Sequence, residues 1–190
     1  MTEELDSGFR KRTVTTIDLA DVGIPPRFWK PSLNPFEQES APLDWWANRV
    51  EYSYAGVGFL IYDLPGETTG LASLCEILKR LVVSRDRPHL IGGKVTSCKY
   101  IRASDVLRAS RSNSDWYDLV SVGYLLVANI SENLGPLADK VLPELFRSRY
   151  EEGGVTFFHL LLDAHSHLPS EVEERATSLT RHIPSGAYTS

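Results

Sequence analysis

The chain has 190 residues, of which 42% are hydrophobic and 24% charged, and its formal net charge is -5. This length suits a single domain, the apolar fraction excludes global disorder, and the acidic balance argues against a broad nucleic-acid-coating surface. Two cysteines, no apolar secretory segment at the start and no apolar run of ~20 residues predict a cytoplasmic protein without disulfides or membrane spans.

The first third of the chain is rich in proline and aromatic residues. Residues 1–22 are polar and predict an N-terminal arm, either loose or forming a short helix, followed by a domain over 23–183 and a tail over 184–190. Four prolines in residues 23–36 exclude a helix interior or a central strand, so the aromatic residues there are expected to pin an extended segment onto the domain. The pattern from Leu43 to Tyr54 predicts a helix.

Apolar patterning then predicts alternating strands and helices. Val57 to Tyr62 is a nearly continuous apolar run, typical of a strand covered on both faces. Further strands are predicted at Ser97–Arg102, within Tyr117–Val127 and at Val155–Leu162. Helices are predicted at Leu71–Val82, at Pro136–Arg149 and at Ser170–Thr180. Another helix is predicted directly after the strand at Ser97–Arg102, capped by Ser104 or Asp105. This alternation predicts an α/β fold with a mostly parallel sheet wrapped by helices.

The turn after the first strand, Asp63 to Gly70, lies where a phosphate-binding loop would lie. Such a loop uses glycines to wrap phosphate, a lysine to reach it and a serine or threonine hydroxyl for Mg²⁺. Pro65 and Gly66 are retained, whereas alignment places Asp63 and Thr68 at glycine positions, Thr69 at the lysine position and Gly70 at the hydroxyl position. Taken alone, the segment is better explained as a simple strand-to-helix turn.

A family resemblance rests on the order of several segments. These are VGIPPRFWKPSLNPF, GFLIYDLPGETTGLASLCEIL, SCKYIRASDVL, YDLVSVGYLLVANIS, LPELFRSRYEEGGVTFFHLLLDAHSHLPSEVEER and SLTRHI. From about Val22 to Ile183 the chain resembles AAA+ ATPases of the DnaC/IstB type, which are helicase loaders and ATP-binding subunits of transposases. The resemblance implies a three-layer P-loop NTPase-like (AAA+-like) domain.

The same resemblance implies that catalysis has been lost. A strand in the Walker B position normally ends in two acidic residues, one for Mg²⁺ and one to polarise water. Here Leu125–Val127 is followed by Ala128 and Asn129, and the expected sensor strand ends in leucines. Without the lysine, the metal ligands and the base, we expect a pseudo-ATPase with no cofactor and no metal.

Two other clusters have alternative explanations. Asp163, His165 and His167 could coordinate a metal ion, but an ordinary loop at the end of a strand is the preferred interpretation. A basic stretch could track single-stranded DNA, although solvated helix faces explain it equally well. Its members are Lys99, Arg102, Arg108 and Arg111.

These observations predict a non-catalytic, helicase-loader-like adaptor in DNA replication or transposition. Its expected partner is a protein such as a replicative helicase or a loader-like subunit, and degraded motifs also suit a viral or mobile-element gene. Candidate interface residues are Phe28, Trp29, Trp45, Trp46 and Arg149, with packing against the domain as the alternative. The alternative function is a structural scaffold subunit of a larger assembly without a replication role.

Overall fold

A computed structural model describes residues 16–30, 45–58, 60–64, 66–83, 97–131 and 136–161. The predictions for Pro65, for the segment from Asp163 to His167, for the helix at Ser170–Thr180 and for the tail lie outside these residues. None of the helices within them is long and apolar enough to span a membrane.

Four described strands form one parallel sheet in the order β1-β4-β3-β2. Their bounds are β1 Leu60–Asp63, β2 Cys98–Arg102, β3 Tyr124–Ile130 and β4 Val155–Leu161. Parallel neighbours require crossover connections, and helices follow β1, β2 and β3 in the chain. The predicted parallel α/β sheet is therefore confirmed.

Helices cover both faces of this sheet. Their bounds are α1 Thr16–Val22, α2 Arg49–Tyr54, α3 Thr69–Val83, α4 Ala103–Ala109, α5 Asn113–Ser121 and α6 Pro136–Glu151, with a 3-10 turn at Pro26–Phe28. Residues of α1 and α3 pack in one apolar core, and residues of α4, α5 and α6 pack in another. This arrangement is the predicted three-layer architecture.

The strands contribute to both cores because their side chains alternate across the sheet. Leu126 and Phe157 face the α3 side, whereas Leu125 and Phe158 face the α6 side. All four side chains are fully buried. Burial on both faces explains why these strands appear in the sequence as continuous apolar runs rather than alternating ones.

The described part of the proline-rich segment, residues 23–30, is held by aromatic side chains, as expected, but it contains a 3-10 turn at Pro26–Phe28 and is not extended throughout. Phe28 is buried in the α3-side core, and the indole nitrogen of Trp29 donates to the carbonyl oxygen of Ile24 at 2.6 Å. Trp45 packs edge-on against Phe157, with ring centroids 4.9 Å apart. Phe28 thus anchors the segment to the domain, and Trp45, which lies outside the segment, packs in the same core.

Three of the candidate interface residues are corrected by their burial. Phe28, Trp45 and Arg149 are 9%, 2% and 0% exposed, so their side chains are unavailable to a partner and packing is their role. Trp29 and Trp46 are half-buried. Assigning the aromatic residues by type alone could not separate core anchors from surface ones.

The sequence pattern misses one helix, and one predicted helix cap is wrong. The strand predicted within Tyr117–Val127 is found as β3, which begins at Tyr124, but the first part of that run belongs to α5, which Ser112 caps by accepting from the Asp115 N–H. The predicted cap at Ser104 or Asp105 is also wrong. Helix α4 begins directly after β2 and has no side-chain cap at Arg102.

Candidate functional site

The candidate site lies at the carboxyl ends of the parallel strands β1, β3 and β4. Ligands of open α/β sheets bind outside the carboxyl ends of the strands. The turn after β1 leads directly into α3, which is the position that the sequence assigned to a phosphate loop. The question is which groups occupy this helix start.

The carboxylate of Asp63 occupies the start of helix α3. One of its oxygens accepts from the Gly70 N–H at 2.8 Å, and the other accepts from the Leu71 N–H at 3.1 Å. Asp63 is only 4% exposed. Free N–H groups and the helix dipole make a helix start favourable for a negative charge, and here the protein supplies that charge itself.

A buried histidine, His159 on β4, connects Asp63 to the end of β3. The Nε2 atom of His159, on β4, lies 2.9 Å from Asp63 Oδ2, and its Nδ1 accepts from the Asn129 N–H at 3.1 Å. Because Nδ1 is an acceptor, the ring proton belongs on Nε2, which donates to Asp63. Both ring nitrogens are thus engaged, and neither is free to act as a general base.

These hydrogen bonds keep Asp63 ionised. Burial raises the pKa of this carboxyl group, because it disfavours the charged form. The hydrogen bonds from His159 and from the Leu71 and Gly70 N–H groups outweigh that effect, and the pKa is lowered from its ordinary value of 3.8. A permanent negative charge therefore lies at the start of α3.

The end of β3 bends to reach the histidine. Val127 pairs with Phe158 and Ile130 pairs with Leu160, so Ala128 and Asn129 share one partner position on β4. This is a β-bulge, and Asn129 adopts a left-handed φ of 59°. Ala128 is fully buried on the α3 side, and neither Ala128 nor Asn129 carries a carboxylate.

Packing leaves no space for a side chain at Gly70. A Cβ atom on Gly70 would lie 2.1 Å from Ile61 Cγ2 and 2.8 Å from Asp63 Oδ1. Serine or threonine therefore cannot replace Gly70 while β1 and α3 stay packed as they are. Thr68 and Thr69 are exposed beside it, and so is Gly66, which has a φ of 90°.

The basic residues make none of the hydrogen bonds described for this arrangement, although Arg102 pairs with Ala128 at the end of β3. Lys99 and Arg102 belong to β2, which is separated from β1 by two strands. Arg108 and Arg111 are exposed at the end of α4 and just beyond it, and Arg108 lies 3.6 Å from the Asp105 carboxylate. These residues are not part of the Asp63 site.

Sequence reasoning missed the role of His159. The available signal was a histidine inside an apolar run predicted to be buried on both faces, since a buried ring nitrogen needs hydrogen-bond partners. Which partners it finds depends on strand order. Within the described residues, no three His, Cys, Asp or Glu side chains cluster as metal ligands.

Comparisons with known proteins support the fold. The crystal structure of the DnaC helicase loader matches with a TM-score of 0.50 and 12% identity, covering 82% of this chain and 90% of that one. No family model and no curated protein matches the chain. The chain thus has a P-loop NTPase-like, DnaC-like fold with a four-stranded parallel sheet, as predicted.

Proposed function

We propose that this chain is a non-catalytic, helicase-loader-like adaptor that acts in DNA replication or transposition through protein–protein contacts in the cytoplasm. The observation that carries the proposal is the Asp63 carboxylate bound to the Gly70 and Leu71 N–H groups. A nucleotide phosphate would need the same donors, and it would meet an ionised carboxylate there. The two anions would repel each other in a water-poor site.

Missing chemistry supports the same conclusion. Thr69 stands at the lysine position, and Gly70 has no space for a metal-binding hydroxyl. Ala128 and Asn129 stand where a magnesium ligand and a base would be needed. Phosphoryl transfer depends on positioning and on charge stabilisation by these groups, so their joint absence removes the means of hydrolysis.

The proposed partner is a replicative helicase or a loader-like subunit. The support is the likeness in fold to the DnaC helicase loader together with a site that has no evident use for nucleotide. Trp46 is a candidate contact, half-buried, with the guanidinium carbon of Arg49 at 4.9 Å from its ring centroid. The basic residues from Lys99 to Arg111 remain candidates for single-stranded DNA.

Calorimetric titration with ATP and ADP in the presence of Mg²⁺ tests the loss of nucleotide binding. We expect no binding heat from the native chain. A Kd of about 1 μM, equivalent to about -8 kcal/mol, would contradict the pseudo-ATPase proposal. Mg²⁺ titrated alone is the control for heat that does not come from nucleotide.

Size-exclusion chromatography with a purified replicative helicase, without nucleotide, tests the adaptor role. We expect the two proteins to elute as a complex. A Trp46→Ala variant is expected to weaken the complex if this side chain is a contact, whereas Tyr117→Ala on the exposed face of α5 serves as the surface control. A stable homo-oligomer that binds neither helicase nor loader subunit would favour the scaffold function instead.

A further inference from the structure

A continuous chain of hydrogen bonds joins four secondary-structure elements at the end of the sheet. It runs from the Gly70 and Leu71 N–H groups of α3 to Asp63 at the end of β1, on to His159 of β4 and then to the Asn129 N–H of β3. We call these groups the Asp63–His159–Asn129 linkage. The Asp63 and His159 side chains are 4% and 1% exposed, so the bonds that Asp63 makes are shielded from water, and the bond to the Asn129 N–H is partly buried.

A helix cap alone does not explain this arrangement. Capping α3 needs only the Asp63 carboxylate, since a single side chain can satisfy the free N–H groups of a helix start. The linkage also uses a histidine buried within a strand and a left-handed Asn129, a conformation that costs a non-glycine residue free energy. The backbone N–H of Asn129 points to the His159 imidazole, and the regular pairing of β3 with β4 is interrupted there.

A bound phosphate makes the same connections in a working phosphate loop. It accepts from the N–H groups of the loop and helix, and its Mg²⁺ and attacking water connect it to the acidic residues that end a neighbouring strand. The ligand thereby joins the helix start to the strand ends. In this chain the same elements are joined without any ligand.

We propose that the Asp63–His159–Asn129 linkage acts as a built-in ligand, which holds the start of α3 and the ends of β1, β4 and β3 in one arrangement without nucleotide. The edge of the sheet then has a single ordered state, and any partner that contacts it binds independently of ATP. This inference rests on the proposed loss of nucleotide binding, and it does not depend on which partner is bound.

Amide hydrogen exchange of the Asp63→Ala variant, followed by NMR, tests the linkage. We expect exchange to become about tenfold faster at Gly70, Leu71 and Asn129, in line with the loss of charge-assisted hydrogen bonds. Asn129 is the decisive probe, because Asp63 reaches it only through His159. Asp118→Ala, which removes an exposed carboxylate from α5, is the matched control and is expected to leave these three amides unchanged.

Sodium formate then resupplies the missing carboxylate to the Asp63→Ala variant. Formate is expected to slow exchange at all three amides, whereas sodium chloride at the same ionic strength is expected to have no effect. The proposal is overturned if Asn129 does not respond to the substitution. It is also overturned if formate slows Gly70 and Leu71 alone, which would make Asp63 a helix cap only, or slows none of the three amides.

Substitutions of His159 keep the test valid if Asp63→Ala does not fold. His159→Gln places an amide donor near the Nε2 position and so retains a partner for Asp63, while His159→Asn places an acceptor near the Nδ1 position and retains one for Asn129. In a linked site each variant speeds exchange at both ends. A response confined to the end that each variant directly disrupts overturns the proposal.

These outcomes are separable from those of the proposed function. The exchange experiments use neither nucleotide nor partner. ATP binding by the native chain would contradict the pseudo-ATPase proposal, whereas an Asn129 amide that is indifferent to Asp63 would overturn the linkage. Absence of a helicase complex would leave the linkage intact.

Discussion

At the scale of single residues, Arg149 is a fully buried cation that has no carboxylate partner among the residues that the structure describes. Its hydrogen-bond acceptors are Thr156 Oγ1 and the carbonyl oxygens of Leu119, Val120, Val122, Gly123 and Val155, at 2.7–3.3 Å. The Leu119 carbonyl lies in the last turn of α5, where the helix dipole favours a positive charge. Burial lowers the pKa of Arg149 to about 9, which leaves it protonated at neutral pH.

We expect Arg149→Lys to lower the free energy of unfolding by about 3 kcal/mol, because a lysine ammonium group cannot reach so many acceptors and buried carbonyls lose their partners. Urea unfolding measures the change. Arg147→Lys is the matched control on the same helix, since Arg147 is half-exposed and its ion pair with Glu144 can be kept. Equal effects of the two substitutions would contradict the structural role of Arg149.

Gly70 provides a second prediction at this scale. Alanine normally favours a helix over glycine by about 1 kcal/mol. At Gly70 we expect the opposite sign, a loss of about 2 kcal/mol in unfolding free energy, because the added Cβ would overlap Ile61 Cγ2. Thr69→Ala, one residue earlier and exposed, is the control, and both are measured by urea unfolding. A stabilising Gly70→Ala would show that β1 and α3 are not packed this closely.

At the scale of elements, the β3 bulge decides where the side chains at the end of the strand point. Before it, Leu126 and Ala128 face the α3 side; after it, Ile130 faces the α6 side. The bulge therefore reverses the alternation and lets both residues flanking Asn129 be buried. It also turns the Asn129 N–H toward His159.

The bulge can be tested by two substitutions at Asn129. Its φ of 59° is readily adopted by glycine and is unfavourable for a β-branched residue. We expect Asn129→Gly to leave the unfolding free energy within about 0.5 kcal/mol of native and Asn129→Val to lower it by about 1–2 kcal/mol. Thermal unfolding of both variants supplies the measurement, and equal stabilities would argue against a left-handed residue there.

At the scale of the whole molecule, buried charged groups hold opposite ends of the sheet. Asp63 ties β1, β4 and β3 to the start of α3 at the carboxyl ends of the strands. Arg149 ties the end of α6 to the residues that begin β3 and β4, at the amino ends. The two apolar cores lie between these polar attachments, so the layers are joined at both ends as well as through apolar packing.

Global stability should fall in acid because of Asp63. Folding lowers its pKa below 3.8, so its contribution to stability is complete above the unfolded-state pKa and is lost as the pH falls through the folded-state pKa. We expect Asp63→Asn to lower the free energy of unfolding by about 2 kcal/mol at pH 7. The side-chain N–H₂ group of asparagine would have to face another donor, either a backbone N–H of α3 or His159 Nε2. The difference in unfolding free energy between the native chain and Asp63→Asn should shrink below about pH 4.

Urea unfolding of the native chain and of Asp63→Asn between neutral and acid pH tests this dependence. Asp118→Asn, which removes an exposed carboxylate from α5, is the control and should show no such convergence. A difference between native and Asp63→Asn that stays constant as the pH falls would mean that ionisation of Asp63 does not stabilise the fold.

Strand and helix order could be predicted because burial imposes a period on the apolar residues. The strands β1 and β4 and the helices α3 and α6 were found within a few residues of their observed bounds. Prediction failed at α5, where the Ser112 cap turned part of an apolar run into helix. It failed for Phe28, Trp45 and Arg149 because burial of a large side chain depends on the elements that come to cover it.

The sequence by itself determined the α/β class, the parallel sheet and the residues that stand at the phosphate-loop positions, since these follow from local patterns of residue type. Only the tertiary structure decided that the Asp63 carboxylate turns inward to α3 and that His159 joins it to Asn129. His159 lies 96 residues after Asp63 in the chain, and strand order brings the two together. Hydrogen bonds between such distant residues depend on packing geometry, which a one-dimensional pattern does not contain.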